Sequence, residues 1–150
     1  MPRARVTQRT VDRDLGYRRI RQAIAAMGNL DAKIGFFTPD NAAKAAFAEF
    51  GSANVPARPF FSSALDSNRL TIFARWAELL GQVVDGTVPE ARALQLLADE
   101  IKTMIRASIT NGQWAPNDPD TIEDKKSSKP LVDSGEMLNS VEVRIERGRG

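Results

Sequence analysis

Apolar residues recur at spacings of three and four along much of this chain and alternate with polar ones in two short stretches. Residues 1–12 carry no such pattern and read as a flexible basic arm ahead of a single domain over 13–150. From about Asp14 to Met27, Ile20, Ala23, Ile24 and Met27 keep helical spacing, and Gly28-Asn29 supplies a stop. Ala32, Ile34 and Phe36 then alternate with Lys33, Gly35 and Phe37, the period of a strand. Thr38-Pro39-Asp40-Asn41 is a turn by composition. The alanines between Ala42 and Phe50 favour helix, but the segment is short and lies between two turn signals. It reads as a second strand, hairpinned to the first.

Gly51 to Pro59 reads as a loop holding Val55-Pro56-Ala57-Arg58-Pro59. Beyond it Leu65, Ile72, Phe73, Trp76, Leu79, Leu80 and Val83 mark one face of a helix starting near Phe60 and ending at Asp85-Gly86. Thr87, Pro89 and Glu90 have the spacing of a capping box. The clearest amphipathic helix follows, with Leu94, Leu97, Ala98, Ile101, Met104, Ile105 and Ile109 on one side, and Asn111-Gly112 stops it. Residues 113–133 form a long polar loop punctuated by Pro116, Pro119 and Pro130, a length that compact domains reserve mostly for functional or disordered segments. Asp133 and Glu136 suggest another capping box opening a short helix, and Val141, Val143 and Ile145 alternate with charged residues in a closing strand. The predicted class is α+β, a small antiparallel sheet packed against two or three helices with long polar loops.

Composition narrows the chemistry. With 42% hydrophobic and 27% charged residues over 150 positions, the chain has the make-up of a folded domain, and a net charge of +2 does not mark a nucleic-acid binder. Cysteine and histidine are both absent, which removes thiol nucleophiles, imidazole bases and disulfides. No Walker loop, dinucleotide fingerprint, Ser-x-x-Lys pair or nucleophile elbow occurs. Asp118, Asp120, Glu123 and Asp124 fit no EF-hand spacing and read as solvated loop carboxylates. The expectation is a non-enzyme with no cofactor and no metal. No run of residues is apolar enough for a signal peptide or a membrane span, so a soluble protein is expected.

The charge is uneven. Arg3, Arg5, Arg9, Arg13, Arg18, Arg19 and Arg21 stand against Asp12 and Asp14 alone. Such an arm can neutralise phosphates, with Arg3, Arg5 and Arg9 as possible DNA or partner contacts, or it can serve as a solvated face or a set of ion-pair partners. The first option defines the alternative function, a DNA-binding accessory protein.

Two segments carry a resemblance. Glu49-Phe-Gly51 followed by Val55-Pro-Ala-Arg-Pro-Phe60 is the first. Trp114-Ala-Pro116, Thr121-Ile122, Lys125, Lys129-Pro-Leu-Val-Asp-Ser-Gly135 and Leu138-Asn-Ser140 make up the second. In order and spacing they resemble the virion morphogenesis and tail-completion proteins of tailed phages, Mu-like phages included, and Ile34-Gly35-Phe36 extends the likeness. Ser134 stands where threonine is commoner, Met137-Leu138 departs mildly around the usual apolar position, and the basic N-terminal segment has no counterpart. The resemblance implies a structural virion protein, assembled in the host cytoplasm. It implies a ring in the neck or at the tail top, a connector or terminator through which DNA passes. A homo-oligomer, expected as a hexameric ring, would meet other neck, connector or tail-tube proteins and contact DNA transiently, with no membrane involved. The expected subunit or tail contacts are Pro56, Arg58, Pro59, Phe60, Trp114, Lys129, Pro130, Leu131 and Asp133. For Arg58 two roles stand open, anchoring an acidic partner or holding its own loop.

Overall fold

A computed structural model describes residues 13–116, 131 and 135–148. The elements in chain order are α1 (Tyr17–Met27), β1 (Leu30–Gly35), α2 (Pro39–Phe50), α3 (Phe60–Ser67), α4 (Arg69–Val84), α5 (Glu90–Asn111), α6 (Glu136–Asn139) and β2 (Glu142–Arg147). The class is α+β, as the sequence predicts. Among the described residues, no helix is long and apolar enough to cross a membrane.

α5 organises the packing. Its 22 residues span about 33 Å at the helical rise, enough to serve two apolar clusters in succession. Ala93, near its start, packs with Ala23 of α1 and with Leu79 and Val83 of α4, and Trp76 joins this cluster as a partly buried side chain. Ile105 and Ile109, near its end, pack with Ala45, Phe60, Ala64, Met137 and Val141. Arg75 ties α4 to α5 through Glu100 at 2.8 Å and holds Glu78 at 2.8 Å. Those hydrogen bonds, to Glu78 first and then Glu100, keep its guanidinium above its ordinary value.

β1 and β2 pair antiparallel from Leu30↔Arg147 to Gly35↔Glu142, which joins the two ends of the described chain. One face of the ribbon presents Ala32, Ile34, Val143 and Ile145, and α5 packs against both strands. On the other face the register sets Lys33 opposite Arg144 and Asp31 opposite Glu146, like charges that would repel. Lys33 relieves this by reaching diagonally to Glu146, and the Arg144 guanidinium lies 3.9 Å from the ring centre of Phe37. Phe36 packs against the α5 cluster, edge-on to Phe60 with ring centres 6.0 Å apart.

Four sequence expectations need correction. Residues 42–50 are helical, within α2, and no hairpin forms. Thr38-Pro39-Asp40 is a helix start with proline in the first turn, and the alanines after it have the best helix propensity. The helix expected from Phe60 to Val84 is two helices. Asn68 separates them, turning its side-chain amide to the Ala64 carbonyl at 2.8 Å. Thr87 makes no capping box. Its hydroxyl donates back to the Gln82 carbonyl at 3.0 Å, and Pro89 precedes the first turn of α5. Helix α1 begins at Tyr17, three residues later than read, with Asp14 accepting from the Gly16 and Arg18 amides just ahead of it. The second capping box rests on Asp133, outside the described residues, and Gly135 in the left-handed region leads into α6.

Candidate functional site

The loop between α2 and α3 is built by close backbone approaches. Gly51 has φ 71°, and a Cβ there would stand 2.7 Å from both the Ala57 nitrogen and the Val55 oxygen, so only glycine fits. Ser52 and Val55 then exchange backbone hydrogen bonds of 2.9 and 3.3 Å, and the Arg58 amide clips onto the Ala48 carbonyl at 2.7 Å. This turns the chain back on α2 and lets Glu49 cap α3. Its carboxylate accepts from the Phe61 and Ser62 amides, at 2.9 and 3.0 Å, supplying free amides of the first turn with an acceptor.

Arg58 emerges from this turn buried, at 9% exposure. Its Nε donates to the Ala115 carbonyl at 2.9 Å and its Nη2 to the Pro116 carbonyl at 3.1 Å. Two parallel donors on a planar group suit two successive carbonyls. Around this link, Ser108 Oγ donates to the Phe60 carbonyl at 2.8 Å and Trp114 Nε1 to the Ser108 carbonyl at 3.0 Å. The segments Glu49–Phe60 and Trp114–Pro116, remote in sequence, thus form one unit with the end of α5 as its bracket.

The expected contact residues divide. Pro56 and Pro59 are exposed on the loop. Phe60 is 1% exposed in the core, so its side chain is not a surface contact, which corrects the sequence expectation. Arg58 holds its own chain, and of its two open roles the structure takes the internal one. Trp114 is partly buried against the α5 cluster, and so is Leu131, whose φ of 65° is unusual for a branched residue. Lys129, Pro130 and Asp133, the carboxylates 118–124, and Arg3, Arg5 and Arg9 lie outside the described residues. Among the described residues no group of three or more His, Cys, Asp or Glu side chains could hold a metal ion.

Sequence reasoning missed Gly112. The Trp114 indole lies where its Cβ would be, so only a residue without one lets the ring close over the end of α5. Gly112→Ala should expel the ring at a cost of about 1–3 kcal/mol, the usual range for overpacking. Tryptophan emission should shift to the red and the urea midpoint should fall; an unchanged spectrum would contradict this placement. The signal in the sequence was the Gly-x-Trp spacing directly after a helix end. Compared with family models, curated proteins and solved structures, the chain gives no match.

Proposed function

We propose that this chain is a structural, non-enzymatic virion protein of a tailed phage, forming a ring in the neck or at the top of the tail through which DNA passes. The observation that carries the reading is the union made by Arg58. Its guanidinium joins the Pro-Ala-Arg-Pro-Phe loop to the Trp-Ala-Pro segment, the two stretches that resemble tail-completion proteins. A shared scaffold would account for both motifs persisting together in one chain. The unit leaves the loop prolines outward, and a proline-fixed loop loses little conformational freedom when a neighbour docks on it. A contact repeated about an axis closes into a ring when its rotation divides the circle.

The test is the state of the purified full chain, read by mass photometry and negative-stain imaging, with duplex DNA binding measured over a salt series. Closed rings of one size, hexameric by expectation, support the proposal. A chain that never forms rings yet binds duplex tightly, with affinity falling steeply as salt rises, would replace it with the DNA-binding alternative.

A further inference from the structure

Two separate apolar faces of this chain are open to solvent, and they carry opposite charge. The first is on α1, where Tyr17, Ile20 and Ile24 form a stripe at i, i+3 and i+7 while Ala23 alone of that helix is buried. Tyr17 is 65% and Ile24 62% exposed. The second is an open groove of about 430 Å³ between α2 and α3, lined chiefly by Phe36, Ala45, Ala46, Phe50, Phe61 and Leu65. Phe50 at its edge is 80% exposed. Large apolar side chains gathered in this way mark surfaces that another element covers.

The charges decide which element that is. Helix α1 contains Arg18, Arg19 and Arg21 and no acidic residue. Helices α2 and α3 contain Asp40, Glu49 and Asp66 against Lys44, and Lys44 is already paired with Glu136 at 3.2 Å. Glu49 is the ionisable side chain lining the groove. Arg19 and Arg21 make no ion pair with a described residue, and neither do Asp40 and Asp66. An amphipathic helix with anchors at this spacing is the usual occupant of such a groove, and opposite charge on the two rims fixes partner and register.

We infer that α1 of one copy seats its Tyr17–Ile20–Ile24 stripe in the α2–α3 groove of the next copy, head to tail. This rests on the ring reading above and names the surface that would build the ring. In each copy α1 belongs to the α4 cluster and the groove to the Phe60 cluster, so the contact joins two different faces. Such a heterologous contact propagates around a ring, whereas a self-complementary one stops at a dimer.

The experiment compares the natural full chain with two charge reversals, Arg19→Glu/Arg21→Glu on α1 and Asp40→Lys/Asp66→Lys beside the groove, each checked for unchanged helical circular dichroism. Each reversal alone should weaken ring assembly at least tenfold in protein concentration. An equimolar mixture should restore it, because every α1 then meets a groove of opposite sign. The natural chain lacks cysteine. Ile24→Cys/Phe50→Cys should therefore give an oxidised ladder of linked copies, while either single variant stops at dimers. If the natural chain forms rings that survive both reversals and the double variant gives no ladder, this interface is wrong and the ring reading stands. If the natural chain forms no rings, the ring reading itself fails and the interface with it.

Discussion

Phe60→Ala is expected to cost about 3–5 kcal/mol, the range for removing a fully buried aromatic side chain. Phe60 is 1% exposed and opens α3 at the point where that helix meets α5. Its ring is edge-on to both Phe36 and Phe61, with centres 6.0 and 6.4 Å away, so truncation leaves a cavity with lost partners on two sides. Against a total stability of order 5–15 kcal/mol this is a large fraction, and the melting temperature should fall by roughly 10 °C or more. Urea unfolding followed by circular dichroism measures it. A loss below about 1 kcal/mol would mean that Phe60 sits at the surface, as its place in a contact motif first suggested. Phe60→Leu, which keeps most of the volume, should lose markedly less.

That contrast shows what the sequence made legible. Periodicity found α5 and β2 because each carries a long or clean pattern against one buried face. Ile105 and Ile109 fell where a helix needs them, and Val143 and Ile145 where a strand does. It failed for α2, where alanines provide only a weak apolar signal and the Thr-Pro-Asp start also satisfies a turn. The break at Asn68 was hidden because a polar residue between two apolar faces changes no period. Its side-chain bond to Ala64 belongs to the folded state alone. The candidate site was half legible. Its motifs stood out, but the link between residues 58 and 115 crosses most of a helix pair and leaves no trace in local pattern. Phe60 was misplaced for the same reason, since a motif records that a residue is constrained and not by what.

Arg58→Met should be the sharpest test of how the site is assembled. The native guanidinium is buried and makes two charge-assisted hydrogen bonds to carbonyls, each of a kind worth about 1.5–3 kcal/mol. Losing both leaves the Ala115 and Pro116 carbonyls to find water, while removing a buried cation returns part of its desolvation cost. The expected balance is a loss of roughly 2–4 kcal/mol, close to the size seen when a buried bonded network is broken. Arg58→Lys should recover less than half, because an ammonium is a point donor and does not span two carbonyls as a planar fork does. The effect should also be local. Trp114, tied to the same turn through Ser108, should report it as a red-shifted, more quenchable emission even under conditions where the helices persist. An Arg58 that served only to meet an acidic partner would behave in the opposite way: Arg58→Met would leave the melting temperature and Trp114 emission of the isolated chain unchanged and weaken assembly alone. Because loop, arginine and indole form one bracket, its loss should reach assembly through misplacement of the Pro56–Pro59 loop. Ring formation by Arg58→Met should then fail in step with the fluorescence change, and a variant that loses the bracket yet assembles normally would separate this site from the proposed function.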